Sequence, residues 1–247
     1  MNICYLIPAR YESTRLPGKP LLKINDKTII RRVYDQVLQC KYKSDIYVTT
    51  DDDRIIDEIG IDSCIKVTEE CLNGTERICY ALNKLNKMYD IIVNIQGDEP
   101  FIDPMNIDFV IDKYLEYHNL NENLVCVTCH NKMDIKDILN PNIGKLVLNK
   151  NNDIMYCSRS MIPGNKNNTP NINTTYNEHI GIFVFKSSYL KNYFNDNNTP
   201  AMLSEDIEWL KIIEHGYIIK SFQIPGEFEK GINTSEDYEY LKNKYKY

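Results

Sequence analysis

Short apolar runs alternate with helical patterns through the first hundred residues. Strands are predicted at residues 2–8, 45–50, 64–67 and 91–96, and helices over 28–40, over 51–59 with Asp51 as cap, and from Thr75. Runs such as Ile91-Ile92-Val93 lack the polar alternation of a half-exposed strand, which is typical of a sheet covered on both faces. The chain is therefore predicted to be α/β with a three-layer, mostly parallel sheet, whose ligands gather at the carboxyl ends of the strands.

The second half of the chain is less regular. Strands are predicted at residues 145–148 and 180–185, and helices over 203–214 and 235–244. The Asn-rich stretch 165–177 has low hydrophobicity, which predicts a long exposed loop. The length of 247 residues suits one large domain, with a first part at about 1–130 and a second at about 131–247.

The charge balance and the apolar runs exclude several classes of partner. Lys and Arg total 29 against 35 Asp and Glu, so a net charge of −6 argues against nucleic acid. No run approaches the roughly 18 apolar residues of a membrane-spanning helix, and the first residues lack the features of a signal peptide. A soluble, cytoplasmic protein without a membrane partner is expected.

The eight cysteines include one C-x-x-C pair, Cys126 and Cys129, whose spacing can serve zinc or redox chemistry. The pair lies in an apolar run that reads as a buried strand, where positions three apart point to opposite faces. Reduced, mostly buried thiols with a structural role are therefore expected.

The loop after the first strand carries three cations, Arg10, Arg15 and Lys19. Arg offers a planar fork and Lys a compact charge to phosphate oxygens, and Gly18 lets the backbone approach closely. An exposed basic loop is the alternative, but this loop falls at the ligand-binding edge of the predicted sheet. A P-loop is excluded because the Gly-Lys pair is followed by Pro20 rather than Ser or Thr.

Asp98 ends the fourth predicted strand, next to Gly97. Mg²⁺ prefers oxygen ligands and typically takes one or two carboxylates together with substrate phosphates, so Asp98 is a candidate magnesium ligand. An Asp that merely forms a turn after Gly97 is the alternative interpretation.

Five segments together resemble the 3-deoxy-manno-octulosonate (Kdo) cytidylyltransferase family of sugar nucleotidyltransferases. They are residues 10–21, 73–77 (Asn-Gly-Thr-Glu-Arg, where the family has Ser first), 93–100 (Val-Asn-Ile-Gln-Gly-Asp-Glu-Pro), 156–163 and 179–183. The resemblance runs in order along nearly the whole chain. It implies a Rossmann-like sheet of the nucleotide-diphospho-sugar transferase type, with a smaller subregion for sugar binding and dimerisation.

The resemblance also implies the reaction and the residues that carry it. CTP and Mg²⁺ would activate an acidic sugar as its CMP conjugate and release pyrophosphate, in a chain that forms a homodimer. The implied catalytic residues are Arg10, Lys19 and Asp98. The implied nucleotide-binding residues are Pro8, Ala9, Arg10, Arg15, Lys19, Gly74, Arg77 and Gln96. The implied sugar-binding residues are Gln96, Arg159, His179 and Glu208, and the implied metal ligands are Asp98 and Asn233.

Three departures from the family pattern fall in the region that is expected to bind the sugar and the metal. Asn233 stands where the family has a second metal-binding Asp, so metal affinity is expected to fall. Trp209 replaces a Gln and Phe183 replaces a Tyr, and both changes remove groups that could hydrogen-bond a sugar. A related acid sugar, such as an amino or deoxy derivative, is therefore an alternative to Kdo.

Two further functions stay open from the sequence. Another nucleotidyltransferase of the same fold could use a sugar 1-phosphate or a different acid sugar. A non-catalytic descendant could bind nucleotide as a sensor or partner module, a reading that Asn233 and Trp209 motivate.

Overall fold

The computed structural model describes residues 1–12, 15–226 and 228–246. The strands of this part are β1 (Ile3–Pro8), β2 (Lys23–Ile24), β3 (Lys27–Thr28), β4 (Asp45–Thr50), β5 (Cys64–Lys66), β6 (Ile91–Ile95), β7 (Leu124–Lys132), β8 (Lys145–Leu148), β9 (Ile154–Ser158), β10 (Asn177–Lys186) and β11 (Ile218–Gln223). Its α-helices are α1 (Ile29–Val37), α2 (Asp53–Ile59), α3 (Gly74–Lys84), α4 (Pro104–Tyr117), α5 (Ser187–Lys191), α6 (Pro200–Glu205), α7 (Trp209–Glu214) and α8 (Ser235–Lys244). The fold is α/β with a mostly parallel sheet, as the sequence predicts.

The chain folds into two compact units. The first unit takes the described residues of 1–108, 186–193 and 227–247, and the second takes 109–185 and 194–226. The organisation as one domain, with parts divided near residue 130, stays a prediction.

The first unit contains four parallel strands in the order β6-β1-β4-β5. The central strand β1 is buried from Ile3 to Ile7, as expected for a strand with neighbours on both sides and apolar residues on both faces. The helices that follow the strands begin at side-chain caps, with Thr28 on α1, Asp52 on α2 and Asn73 on α3.

The second unit is built around β7, which pairs in parallel with β11 and antiparallel with β10. Strand β8 pairs antiparallel with both β10 and β9. A bulge interrupts the β7–β10 register between Ile180 and Phe183. The register shift leaves Gly181 and Ile182 without a partner position on β7, so the main chain there needs a partner other than the regular ladder.

The strands β4 and β8 and the helix α8 coincide with their predicted bounds. The prediction of one helix over residues 203–214 is wrong, because Asp206 has a left-handed backbone (φ 52°) that ends α6 before α7 begins. The predicted cap of α2 is also wrong. Asp52 accepts the Arg54 N–H there, while Asp51 pairs with a different helix.

The Asn-rich stretch is an exposed loop as predicted, except at its end. Tyr176 is buried with Met133, Ile138 and Met161, and its hydroxyl accepts the N–H of Asn171 at 3.1 Å. A single aromatic anchor therefore fixes the loop where β10 begins.

All eight cysteines are free, and Cys126 and Cys129 are fully buried on β7, which agrees with structural thiols. Within the described ranges no helix combines the length and the apolar character that crossing a bilayer requires.

Candidate active site

The end of β1 meets two glycine turns in the first unit. A Cβ on Gly97 would lie 2.7 Å from the Pro8 carbonyl oxygen, and one on Gly74 would lie 3.3 Å from the Pro8 ring. Only glycine permits approaches as close as the first of these. The predicted nucleotide segments around Pro8, Gly74 and Gln96 therefore converge at the carboxyl ends of β1 and β6. Ala9 is held there because its main-chain N–H donates to the Thr49 carbonyl oxygen.

Lys19 and Asp98 meet at the same edge. The Lys19 ammonium lies 2.7 Å from the Asp98 carboxylate, and it also donates to the Ile232 carbonyl oxygen at 2.9 Å. Both side chains are partly exposed, at 15% and 24%. An ammonium has three donors, so these two contacts leave Lys19 one N–H for an incoming anion.

The segment before α8 lies against Asp98. The Ile232 N–H donates to the Asp98 carbonyl oxygen at 2.9 Å, so Asn233 follows directly on a residue bonded to Asp98. Asp237 cannot easily substitute for the missing acid at position 233. One of its carboxylate oxygens accepts the N–H groups of Asn233 and Thr234, both at 2.9 Å, in the capping box of α8.

Arg77 is buried on α3 and pairs with Asp51 at 3.1 Å, at the carboxyl end of β4. Its guanidinium also donates to the Val67 carbonyl oxygen. The residue Asn73, which differs from the family's Ser, accepts the Glu76 N–H at 2.9 Å and caps the helix. Asn and Ser are both good caps, so this departure keeps the local structure.

The cation loop itself is held by Gly18 and Tyr11. Gly18 has a φ of 69° and donates its N–H to the Tyr11 carbonyl oxygen, and the Tyr11 ring lies under the Arg54 guanidinium at 3.3 Å. Arg10 and Arg15 are exposed on this loop. Of the three predicted cations, only Lys19 has an ion pair with Asp98.

The residues around Asp98 fit magnesium only with substrate oxygens. In the described part of the chain, no group of three or more His, Cys, Asp or Glu residues could hold a metal ion. Asp98 would supply one carboxylate and Asn233 a neutral amide, a set that Mg²⁺ commonly completes with phosphate oxygens and water.

In the second unit, Arg159 lies in a network of main-chain acceptors. Its guanidinium donates to the carbonyl oxygens of Glu205 (2.9 Å), Asp206 (2.8 Å) and Pro141 (3.3 Å). The Glu205 carboxylate in turn accepts the Ser158 hydroxyl at 2.7 Å. Most Arg159 donors are thus engaged within the chain, and its predicted role toward a sugar carboxylate stays a prediction.

Lys145 is fully buried beside this network and donates to the carbonyl oxygen of Arg159 at 2.7 Å and to that of Asn140. Burial lowers the pKa of Lys145 to about 8, and the nearby Arg159 charge acts in the same direction.

His179 lies on β10 between two aromatic rings. Its ring centroid is 3.6 Å from that of Trp209 and 4.7 Å from that of Phe183. Burial lowers the pKa of His179 well below its ordinary value, and the neighbouring His130 adds to the effect, so the ring is neutral near pH 7. Trp209 and Phe183, two of the residues that depart from the family pattern, therefore surround a predicted sugar-binding residue.

Glu208 precedes α7 and is partly buried, as is Gln96 after β6. The predicted site residues thus divide between the two units. The second unit holds Arg159, His179 and Glu208, and the first holds all the others.

Two contacts at these sites escape sequence reasoning. Asp51 faces Arg77 across 26 positions of the chain, and Thr128 contacts His179 across 51 positions. The one available signal for Thr128 is a polar residue within the apolar run of β7.

Comparisons with known proteins agree with these motifs. A profile described as "Cytidylyltransferase" matches residues 4–224. The 3-deoxy-manno-octulosonate cytidylyltransferase of Protochlamydia amoebophila is 36% identical, over 96% of this chain and 91% of its own. The mitochondrial enzyme of that name from Arabidopsis thaliana is 39% identical, over 96% of this chain and 81% of its own.

Two solved structures resemble the fold. A CMP:2-keto-3-deoxy-manno-octonic acid synthetase complexed with CTP superposes with a TM-score of 0.87 at 29% identity, over 98% of both chains. A putative glucose-1-phosphate thymidylyltransferase from Bacillus anthracis superposes with a TM-score of 0.67 at 13% identity, over 98% of this chain and 94% of its own. The second likeness concerns the fold alone.

Proposed function

This chain belongs to the 3-deoxy-manno-octulosonate cytidylyltransferase family, and we propose that it couples CTP to Kdo, or to a closely related 2-keto sugar acid, giving a CMP-sugar and pyrophosphate. The observation that carries the proposal is the meeting of Lys19 with Asp98 at the strand edge where Pro8 contacts Gly74 and Gly97. A nucleoside triphosphate and its metal ion require a cation, a carboxylate and a main chain that can approach closely.

The reaction is an in-line displacement at the α-phosphorus of CTP. The anomeric hydroxyl oxygen of the sugar forms the new P–O bond, the bond to the β-phosphate oxygen breaks, and pyrophosphate leaves while the hydroxyl proton passes to solvent. Little covalent work falls to the protein, so positioning and electrostatics supply the rate. Arg10, Arg15 and Lys19 neutralise the β- and γ-phosphates as charge builds on the leaving group.

Asp98 is the proposed magnesium ligand, with the Asn233 amide oxygen as a weaker second one. A magnesium ion held by these residues and by phosphate oxygens would supply positive charge to the reacting phosphates and would lower the pKa of the attacking hydroxyl. Lys19 already neutralises Asp98 at 2.7 Å, so a lone divalent ion finds little net negative charge there. Tight metal binding is therefore expected only together with the nucleotide.

The identity of the sugar depends on the second unit. Phe183 lacks the family's hydroxyl and is 1% exposed, and Trp209 lacks the family's amide and is 7% exposed. Each lost polar group removes a hydrogen bond by which a site distinguishes hydroxylated substrates. An acid sugar with an altered hydroxyl pattern is the second candidate for that reason.

A pyrophosphate-release assay that crosses four nucleotides with several sugars tests the proposal. We expect release with CTP and a 2-keto sugar acid, and none with UTP, ATP or GTP or with a sugar 1-phosphate. Tight CTP binding by calorimetry without product from any acid sugar would instead favour a non-catalytic nucleotide-binding protein.

A homodimer in the cytoplasm is part of the same proposal. Exposed apolar side chains in the second unit, among them Ile172, Leu139 and Ile135, are the kind of surface that a second subunit covers. Eight free cysteines suit a reducing compartment. Light scattering coupled to size-exclusion chromatography would test the dimer, and a monomeric mass at micromolar concentration would contradict it.

A further inference from the structure

A polar residue lies at the centre of the apolar strand β7. Thr128 is fully buried, and its hydroxyl lies 2.6 Å from the carbonyl oxygen of Ile182. That carbonyl falls within the bulge of β10, where the ladder to β7 is interrupted. The Thr128 hydroxyl therefore supplies the hydrogen bond that the bulge withholds from Ile182.

The same hydroxyl oxygen lies 3.4 Å from Nε2 of His179. A threonine hydroxyl carries one proton, and the short contact to Ile182 uses it. The oxygen can then only accept toward His179, so Nε2 must carry a proton. The opposite tautomer would place an unprotonated ring nitrogen against an oxygen with no proton to give.

The second ring nitrogen is left as an acceptor. In the neutral imidazole, a proton on Nε2 leaves a lone pair on Nδ1. No described residue hydrogen-bonds to Nδ1, and His179 as a whole residue is intermediate between buried and exposed. Trp209 and Phe183 contact the ring. The main-chain N–H of His179 donates to the Gly144 carbonyl oxygen at 3.0 Å. The direction of the lone pair is therefore fixed by the chain.

We propose that Thr128 is a positioning residue that holds His179 as the Nε2–H tautomer, so that Nδ1 accepts a hydrogen bond from a hydroxyl of the acid sugar. The proposal rests on the proposed function for the identity of the ligand. The proposal also predicts which sugar group binds here. A neutral acceptor such as Nδ1 selects a hydroxyl and repels a carboxylate, so the carboxylate of the sugar is bound by other groups.

Two variants of Thr128 separate positioning from packing. Thr128→Val keeps the shape and removes the hydroxyl, and Thr128→Ser keeps the hydroxyl. We expect Thr128→Val to raise the KM for the sugar about tenfold, the loss of one neutral hydrogen bond, with the KM for CTP unchanged. Thr128→Ser should restore the sugar KM to within about twofold of the wild-type value. A melting temperature for each variant monitors the fold.

The ¹⁵N chemical shifts of the imidazole rings report the tautomer without any turnover. The chain has four histidines, so the spectrum is simple, and loss of one pair of signals in His179→Gln assigns them. We expect a protonated Nε2 and an unprotonated Nδ1 at pH 7.5 in the wild type and in Thr128→Ser, and mixed tautomers in Thr128→Val.

A proton on Nδ1 in the wild type, or an unchanged sugar KM in folded Thr128→Val, would overturn the proposal. If the predicted tautomer is observed while no acid sugar reacts with CTP, the proposed function fails and the positioning of His179 by Thr128 stands.

Discussion

The two units present polar groups in opposite ways. In the first unit, Lys19 and Asp98 pair at 2.7 Å at a strand edge where both keep contact with solvent. In the second unit, His130 and Lys145 are buried, and their pKa values are lowered by that burial. Charges near water can exchange partners at low cost, whereas buried groups are fixed by their neighbours. The first arrangement suits a triphosphate that arrives with its own charge, and the second suits recognition of hydroxyls in a fixed pattern.

The first unit should show the largest functional effect. Lys19→Met removes the ammonium that contacts Asp98 while keeping a long side chain. We expect kcat/KM for pyrophosphate release to fall about a thousandfold, because a charge that stabilises the leaving group is lost. Lys23→Met, at an exposed lysine of β2, is the matched control and should keep wild-type turnover. An effect equal in both variants would mean that net charge, rather than this contact, matters.

The close approach of Gly97 to Pro8, next to the Lys19–Asp98 pair, can be disrupted without changing a charged residue. Gly97→Ala places a methyl group 2.7 Å from the Pro8 carbonyl oxygen, so the turn must shift. We expect a loss of about 2 kcal/mol in the free energy of unfolding, together with a higher KM for CTP. Gly226→Ala is the control, since a Cβ there meets nothing within 4 Å. Equal stability of the two variants would contradict the proposed convergence at Pro8.

The buried groups of the second unit should instead affect how the free energy of unfolding depends on pH. Burial lowers the pKa of His130 to about 4, so the unfolded chain binds more protons than the folded chain between pH 4 and 6.5. Stability therefore falls as pH drops through that window, by about 2 kcal/mol from pH 7 to pH 5 for this residue. In His130→Asn, the unfolding free energy measured by denaturant should fall by about 2 kcal/mol less than in the wild type between pH 7 and pH 5.

A contrary outcome for this measurement is a pH dependence of the unfolding free energy in His130→Asn that equals the wild-type dependence. It would mean that the buried network around β7 does not hold His130 neutral.

Sequence reasoning reaches the first unit more fully than the second. The strand–helix alternation predicts the parallel strands, and the position of Asp98 after β6 predicts its place at their edge, because local periodicity determines both. The contact of Thr128 with His179 joins residues 51 positions apart through a bulge, which no local pattern encodes. The break between α6 and α7 depends on the backbone of Asp206, an Asp that helical periodicity alone treats as an interior residue.

The most direct test of the account is CTP-dependent pyrophosphate release by Asp98→Asn, measured beside the wild type with Kdo and Mg²⁺. The amide keeps the shape and removes the charge that faces Lys19. We predict that turnover falls at least about a thousandfold while the melting temperature stays near that of the wild type. Turnover within about tenfold of the wild-type value would contradict the placement of the divalent ion at Asp98, and with it the proposed site.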